Sequence, residues 1–189
     1  MKKISKQTMT IQQIVVTAVM IALSIVVIQF VKLPLSATGN VIASGALINL
    51  ILVIDTLYCG LISGILMSIL VPILSYFITS PPVIQAVPLI LPCIMVGNFV
   101  YILFAWFVKG RKWELNIMPF SLVVGSVAKY FVMSLLIVKW VVPTFGSNLA
   151  PKLVTVASTQ FSITQLFAAL IATFLACIIW PMVKMGLKK

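Results

Sequence analysis

Six long apolar runs, separated by short polar or proline-containing stretches, dominate the pattern of this chain. About 20 apolar residues in a helix span the roughly 30 Å hydrocarbon core of a bilayer. We therefore predict six membrane-spanning helices at about 10–31, 41–58, 60–79, 84–108, 117–141 and 159–183. The expected fold class is an all-α integral membrane protein, with residues 1–189 forming one six-helix domain.

The first apolar run follows basic residues and has the look of a secretory signal. It extends from Ile11 to Val31, however, which is longer than the 7–15 residues typical of a signal-peptide core. We expect it to remain as a spanning helix.

Composition agrees with the membrane assignment. Hydrophobic residues make up 62% of the chain and charged residues only 8%, whereas a soluble domain has about 25% charged residues. The net charge of +11 would indicate nucleic-acid binding in a soluble protein. Here the cations lie mostly in tails and one loop between apolar runs, so a nucleic-acid partner is not expected.

The distribution of cations predicts how the chain lies in the membrane. If the N-terminus is inside, nine of the 13 cations fall on the inner face and three on the outer face, with Lys129 inside the membrane. The inner set is Lys2, Lys3, Lys6, Lys109, Arg111, Lys112, Lys184, Lys188 and Lys189; the outer set is Lys32, Lys139 and Lys152. This asymmetry predicts that both termini are cytoplasmic.

The sequence offers little for catalysis. It has no histidine, and its two acids are Asp55, near the inner end of the second helix, and Glu114, expected in a loop. Without a base in reach, a serine or cysteine nucleophile would not be activated, and no phosphate-binding loop is present. We expect no enzyme activity, no cofactor and no metal site; the cysteines 59, 93 and 177 are expected as small apolar core residues.

Polar residues within the predicted spans are the candidates for a binding site. They share the outer half or the middle of the membrane: Asn49, Asn98, Ser126, Lys129, Tyr130, Gln160, Thr164 and Gln165. Gln160 and Thr164 are four apart and are expected on one helix face. Each residue alone could simply form an interhelical hydrogen bond worth ~0.6–2 kcal/mol, but their common depth favours a shared substrate site.

Lys129 stands at the middle of the fifth run, where an isolated cation costs at least about 2.5–3.5 kcal/mol. Three interpretations are open. The side chain extends to water, or it is solvated by carbonyls or amides alone, or it lines a pocket and meets a ligand. The lack of an acidic partner at that depth favours the last, because a ligand anion would supply the missing counter-charge.

Several short motifs, taken in order, resemble the substrate-binding S components of energy-coupling factor (ECF) vitamin transporters. The most specific is Ala18-Val-Met-Ile-Ala22 on the first helix, which matches the family's A-x-x-x-A. The others are Gly60-Leu-Ile-Ser-Gly64, Val96-Gly97-Asn98, Ala128-Lys129-Tyr130-Phe131 and Phe161-Ser-Ile-Thr-Gln165. The resemblance covers the whole chain.

The resemblance implies a multi-pass protein of a prokaryotic plasma membrane that captures a water-soluble vitamin or related micronutrient from outside. Ala18 and Ala22 would dock on a shared transmembrane coupling subunit, and ATP would bind two separate ATPase subunits. Lys129 favours an anionic substrate, but no motif indicates which vitamin. The alternatives are a stand-alone secondary carrier or channel, and a membrane assembly protein that uses its small-residue faces.

Overall fold

A computed structural model gives the structure of residues 9–30, 37–146 and 149–186. Outside the described residues lie the predicted end of the first helix at residue 31, most of the first connection, and the lysines Lys2, Lys3, Lys6, Lys188 and Lys189. The cytoplasmic placement of the termini and the single domain over 1–189 stay predictions.

The described residues form helices joined by short turns. In chain order these are α1 (Ile11–Phe30), α2 (Ala37–Cys59), α3 (Leu61–Thr79), α4 (Pro82–Ala86), α5 (Ile90–Val108), α6 (Glu114–Met133), α7 (Val142–Phe145), α8 (Pro151–Gln160) and α9 (Ile163–Gly186). A π-helical stretch, Ser134–Val141, joins α6 to α7. The described part of the chain contains no strand, so the predicted all-α class is confirmed.

Within the described ranges, six helical segments are long and apolar enough to cross a membrane. They are Ile11–Phe30, Gly39–Cys59, Leu61–Thr79, Ile90–Val108, Glu114–Phe145 and Pro151–Gly186. The presence of six spans is therefore confirmed, although several of their boundaries differ from the prediction.

The predicted fourth helix, 84–108, is wrong as a single element. The chain forms the short helix α4, breaks over residues 87–89, and then continues as α5. Pro88 explains the break, because proline disfavours helical backbone in the residue before it and cannot donate its own backbone hydrogen bond. Val87 accordingly has φ −135° and ψ 83°.

Glu114, which was expected in a loop, is the first residue of α6. Its carboxylate is buried and accepts hydrogen bonds from the Gly110 backbone N–H (2.7 Å) and the Trp180 indole N–H. Lys184, near the end of α9, forms an ion pair with it at 3.0 Å. An acid in the first turn also interacts favourably with the helix dipole, so the helix begins three residues earlier than the apolar run.

The stretch between the fifth and sixth predicted spans contains a helix, α8, which begins with Pro151 at its first position. Between α8 and α9 the helix is interrupted at Phe161, where φ is −99° and ψ is 9°. Gln160 and Thr164 therefore lie on different helices, and the prediction that they share one helix face is wrong.

Small residues bring α9 against α2 in the core of the bundle. Ala168, Ala172 and Ala176 are fully buried, and a Cβ added to Gly45 would lie 3.3 Å from the Ala168 Cβ. This spacing of small residues permits close approach of two helix backbones. It places the start of α2 and the start of α9 side by side at one end of the bundle.

Helix α1 lies at the edge of the bundle, with most of its surface exposed. The buried hydroxyl of Thr17 on α1 hydrogen-bonds the Ser63 hydroxyl of α3. Ser63 in turn donates to the Asp55 carboxylate of α2. This polar chain ties α1 to α2 and α3, while Ala18 and Ala22 remain exposed on another face of α1.

Candidate functional site

A cavity of about 360 Å³ lies at the end of the bundle where α1 and α3 end and α2 and α5 begin. Because the helices alternate in direction, this end is opposite the one at which α1 begins and α9 ends. Its polar lining is Ser44, Asn49, Ser75, Thr79, Asn98, Lys129, Gln160 and Gln165. Its apolar lining includes Ile48, Val71, Ile94 and Phe161.

Lys129 contributes the positive charge of this cavity. Its Nζ donates to Asn49 Oδ1 at 2.7 Å and to Asn98 Oδ1 at 2.8 Å, and its side chain is only 2% exposed. It lies near the middle of the span Glu114–Phe145. The head group thus stays inside the bundle, held by amide oxygens from α2 and α5, and does not extend to the surface.

No carboxylate side chain among the described residues balances this charge. The sequence contains only two acids. Glu114 is paired with Lys184, and Asp55 accepts a hydrogen bond from Ser63. The amide oxygens of Asn49 and Asn98 supply partial negative charge only, so a protonated Lys129 has no full counter-charge among the described residues.

Asn49 is left with an unused donor. An amide nitrogen cannot accept a hydrogen bond, so the contact with the lysine requires the Asn49 oxygen to face Nζ and turns its NH2 group elsewhere. This Nδ2 is buried and has no hydrogen-bond partner within the described residues. A buried unpaired donor of this kind costs about 1–3 kcal/mol, which a ligand acceptor would recover.

Gly97 sets the distance between the helices that carry Asn98 and Lys129. A Cβ at this position would lie 2.9 Å from the Met133 sulfur and 3.8 Å from Lys129 Cγ. The absence of a side chain therefore lets α5 and α6 approach closely beside the lysine.

A second polar cluster lies one helical turn further toward the inner end. Lys129 Nζ is 5.6 Å from the centre of the Tyr101 ring, within the range of a cation–π interaction. The Tyr101 hydroxyl shares a hydrogen bond with Thr173 Oγ1 at 2.9 Å, and Ser126 Oγ lies 3.1 Å from the same Thr173 oxygen. Tyr101, Ser126 and Thr173 are buried and hydrogen-bond one another, and we call them the floor cluster beneath the lysine.

Five of the eight candidates from the sequence line the cavity together: Asn49, Asn98, Lys129, Gln160 and Gln165. The other three do not. Ser126 belongs to the floor cluster, Tyr130 is half-buried with its ring edge-on to Phe131 at 5.3 Å, and Thr164 is buried outside the lining. A substrate role for any of the eight stays a prediction.

Sequence reasoning missed the cavity residues Ser44, Ser75 and Thr79, and also Tyr101 beneath it. The signal was present for two pairs. Ser75 and Thr79 are four apart on α3, and Tyr101 follows Asn98 by three, so each pair shares a helix face. Among the described residues, no group of three His, Cys, Asp or Glu side chains is placed to hold a metal ion.

Comparison with known proteins identifies a family that matches this chain. The family model of the ECF transporter substrate-specific component matches residues 12–180, which takes in nearly all of the six spans. No curated protein and no solved structure matches the chain. The resemblance drawn from the short motifs is therefore confirmed, and the chain belongs to the family of substrate-specific components of ECF transporters.

Proposed function

We propose that this protein captures a water-soluble vitamin or related micronutrient, preferably an anionic one, in the cavity that Lys129 lines. The observation that carries the proposal is the buried lysine without a protein counter-charge, facing a cavity in a member of this family. Binding an anion would repay the desolvation of the lysine. Which vitamin is bound does not follow from the lining.

The cavity residues have distinct roles in this proposal. Lys129 attracts the charged group, and Asn49 and Asn98 orient the lysine head group. Gln160 and Gln165, near the start of α9, offer neutral hydrogen-bonding groups toward the mouth. Ser126, Tyr130 and Thr164 need not touch the ligand.

The proposed orientation places the cavity toward the outside and both termini in the cytoplasm. The nine-to-three distribution of cations supports it, and the cavity lies at the end away from the start of α1. We place the protein in the plasma membrane of a prokaryote, as the family resemblance implies, so that the substrate enters from outside.

Delivery into the cell would use partners. The chain has no phosphate-binding loop, so ATP hydrolysis falls to two separate ATPase subunits that act through a shared transmembrane coupling subunit. Ala18 and Ala22, exposed and small on α1, suit close docking of a partner helix. The chain itself then performs no catalysis.

Reconstitution in lipid vesicles tests this function. The purified protein is inserted with or without the coupling subunit and the ATPases. ATP-driven uptake is then measured for a panel of radiolabelled water-soluble vitamins, one at a time. We expect accumulation only in the complete assembly. Accumulation by the protein alone would refute the proposal in favour of a secondary carrier, and failure to assemble with the coupling subunit would also refute it.

A further inference from the structure

Two buried groups at the inner end of the cavity keep hydrogen-bond donors for which the described residues provide no acceptor. Lys129 has three N–H donors and uses two of them on Asn49 and Asn98. The Asn49 Nδ2 group has no partner within the described residues, and Asn49 is 3% exposed. The same lysine contact that occupies the Asn49 oxygen brings this NH2 group next to the ammonium.

We propose that these two groups form a fork for a single carboxylate, so that the substrate is a small monocarboxylic acid that enters with its carboxylate deepest. One carboxylate oxygen accepts from Lys129 Nζ and the other from Asn49 Nδ2. The inference rests on the proposed function, which makes this cavity the substrate site, and it adds the chemical class and the direction of the bound molecule.

The charge count favours one negative charge. Among the described residues that line the cavity, Lys129 alone is charged. A monoanion makes the site neutral. A dianion would bury a second, unpaired charge, a cation would oppose the lysine without any acid to hold it, and a neutral ligand would leave the lysine unbalanced. A phosphate carries about −1.5 to −2 charges and three oxygens, more than two donors and one cation satisfy.

The rest of the lining describes the other end of the molecule. Asn98 is the ninth residue of α5, so it lies about 12 Å along the axis from the outer start of that helix at ~1.5 Å per residue. Ile48, Val71 and Ile94 form the apolar wall nearest the lysine, and Ser44 and Ser75 lie one helical turn closer to the mouth on α2 and α3. Gln160 and Gln165 offer uncharged amides toward the mouth. The matching ligand has an apolar middle and an amide or hydroxyl group at the far end.

The test begins with the molecule that the wild-type protein retains. Protein purified from cells in rich medium is denatured, and the released small molecules are identified by mass spectrometry before and after methylation. We expect one enriched compound that gains a single methyl ester. An enriched compound with no carboxyl group, with several, or with a phosphate would overturn the inference while leaving the proposed function intact.

A substitution in the fork supplies the second arm. Asn49→Asp places a carboxylate of the protein beside Lys129 and so occupies the position of the ligand anion. We expect it to fold and to retain about thirtyfold less of the compound, the effect of losing one buried charge-assisted pair. The matched control, Asn116→Asp, adds the same charge at an exposed position of α6 and should retain the compound fully.

The outcomes separate the two claims. Full retention by Asn49→Asp overturns the fork. If that variant does not fold, Lys129→Met replaces it. We expect Lys129→Met to retain less of the compound, and unchanged retention would overturn the fork. If the wild type retains no small molecule and drives no uptake with its partners, both the proposed function and this inference fail together.

Discussion

At the scale of single residues, Gly97 has as much influence on the site as the polar side chains. It lies directly before Asn98, and Met133 of α6 fills the space where a side chain would project. Met133 is fully buried. The position of Lys129 relative to Asn98 therefore depends on a backbone contact that only a residue without a side chain allows.

Gly97→Ala is expected to destabilise the protein by about 1–3 kcal/mol, the usual cost of overpacking a tight core. It should also weaken ligand binding, because α6 would move and lengthen the Lys129–Asn98 contact. Thermal unfolding in detergent and ligand retention measure the two effects.

Met133→Ala in the Gly97→Ala background tests the reason for the loss. The new cavity at 133 makes room for the added methyl group, so the double variant should lose less stability than the sum of the single variants. Strictly additive losses would show that the contact between 97 and 133 is not the cause.

At the scale of elements, α1 differs from the other spans. In the most apolar part of α1, 17% of the residues are buried inside the protein, against 33–50% in the other five spans. Thr17 fastens it on one face through Ser63, and Ala18 and Ala22 stand on an exposed face between larger apolar side chains such as Val15 and Val19. The two alanines leave a shallow depression between larger side chains, and such a surface allows the close approach of another helix.

Ala18→Trp combined with Ala22→Trp should abolish co-purification with the coupling subunit, because the indole side chains would fill the depression at the alanines. Ligand retention should be unchanged, since neither residue lines the cavity. Affinity capture of the tagged protein, followed by quantification of the coupling subunit, measures it. Val123→Trp with Val127→Trp is the control, since these residues have the same spacing on the exposed face of α6. An intact complex with the double α1 variant would contradict the docking assignment.

The spans could be predicted from the sequence because apolar runs of about 20 residues with few charges are typical of membrane-spanning helices. Boundaries failed where short-range chemistry decided them. Pro88 divided the fourth run, Glu114 found buried partners on α9, and Pro151 started a helix in a polar stretch.

For the site, depth in the membrane identified the level of the cavity, but it did not show which side chains point into the cavity. Asn98 and Lys129 converge on the cavity, while Ser126 turns to Thr173 and Tyr130 turns toward Phe131. Facing depends on which helices are neighbours and how each is rotated, and a linear pattern of polar positions does not contain that information. Thr164 shows the same limit, because the break at Phe161 changes the rotation of α9 relative to Gln160.

At the scale of the whole molecule, the two ends of the bundle differ in character. One end carries the cavity, and the other has the basic turn that holds Lys109, Arg111 and Lys112 between α5 and α6. The basic turn is part of the cation count on which the predicted direction in the membrane rests, so that direction stays a prediction.

A C-terminal fusion tests that direction. Alkaline phosphatase, which is active only outside the cytoplasm, should be inactive when joined after residue 189, and a fluorescent protein that folds in the cytoplasm should be bright there. A fusion of each reporter within the turn around Gly110 should behave in the same way. Active phosphatase at either position would reverse the topology, and with it the outward direction of the cavity.

The uncompensated charge of Lys129 also has an electrical consequence. Moving one elementary charge across the membrane costs or yields about 2.3 kcal/mol per 100 mV. A site loaded with a monoanion is neutral, whereas the empty site carries one positive charge. Uptake driven by the complete assembly should therefore respond to voltage only in the step that returns the empty site. In vesicles whose potential is set with potassium and valinomycin, the rate of uptake at saturating ligand should depend on the potential. The inward step of the loaded site should not depend on it.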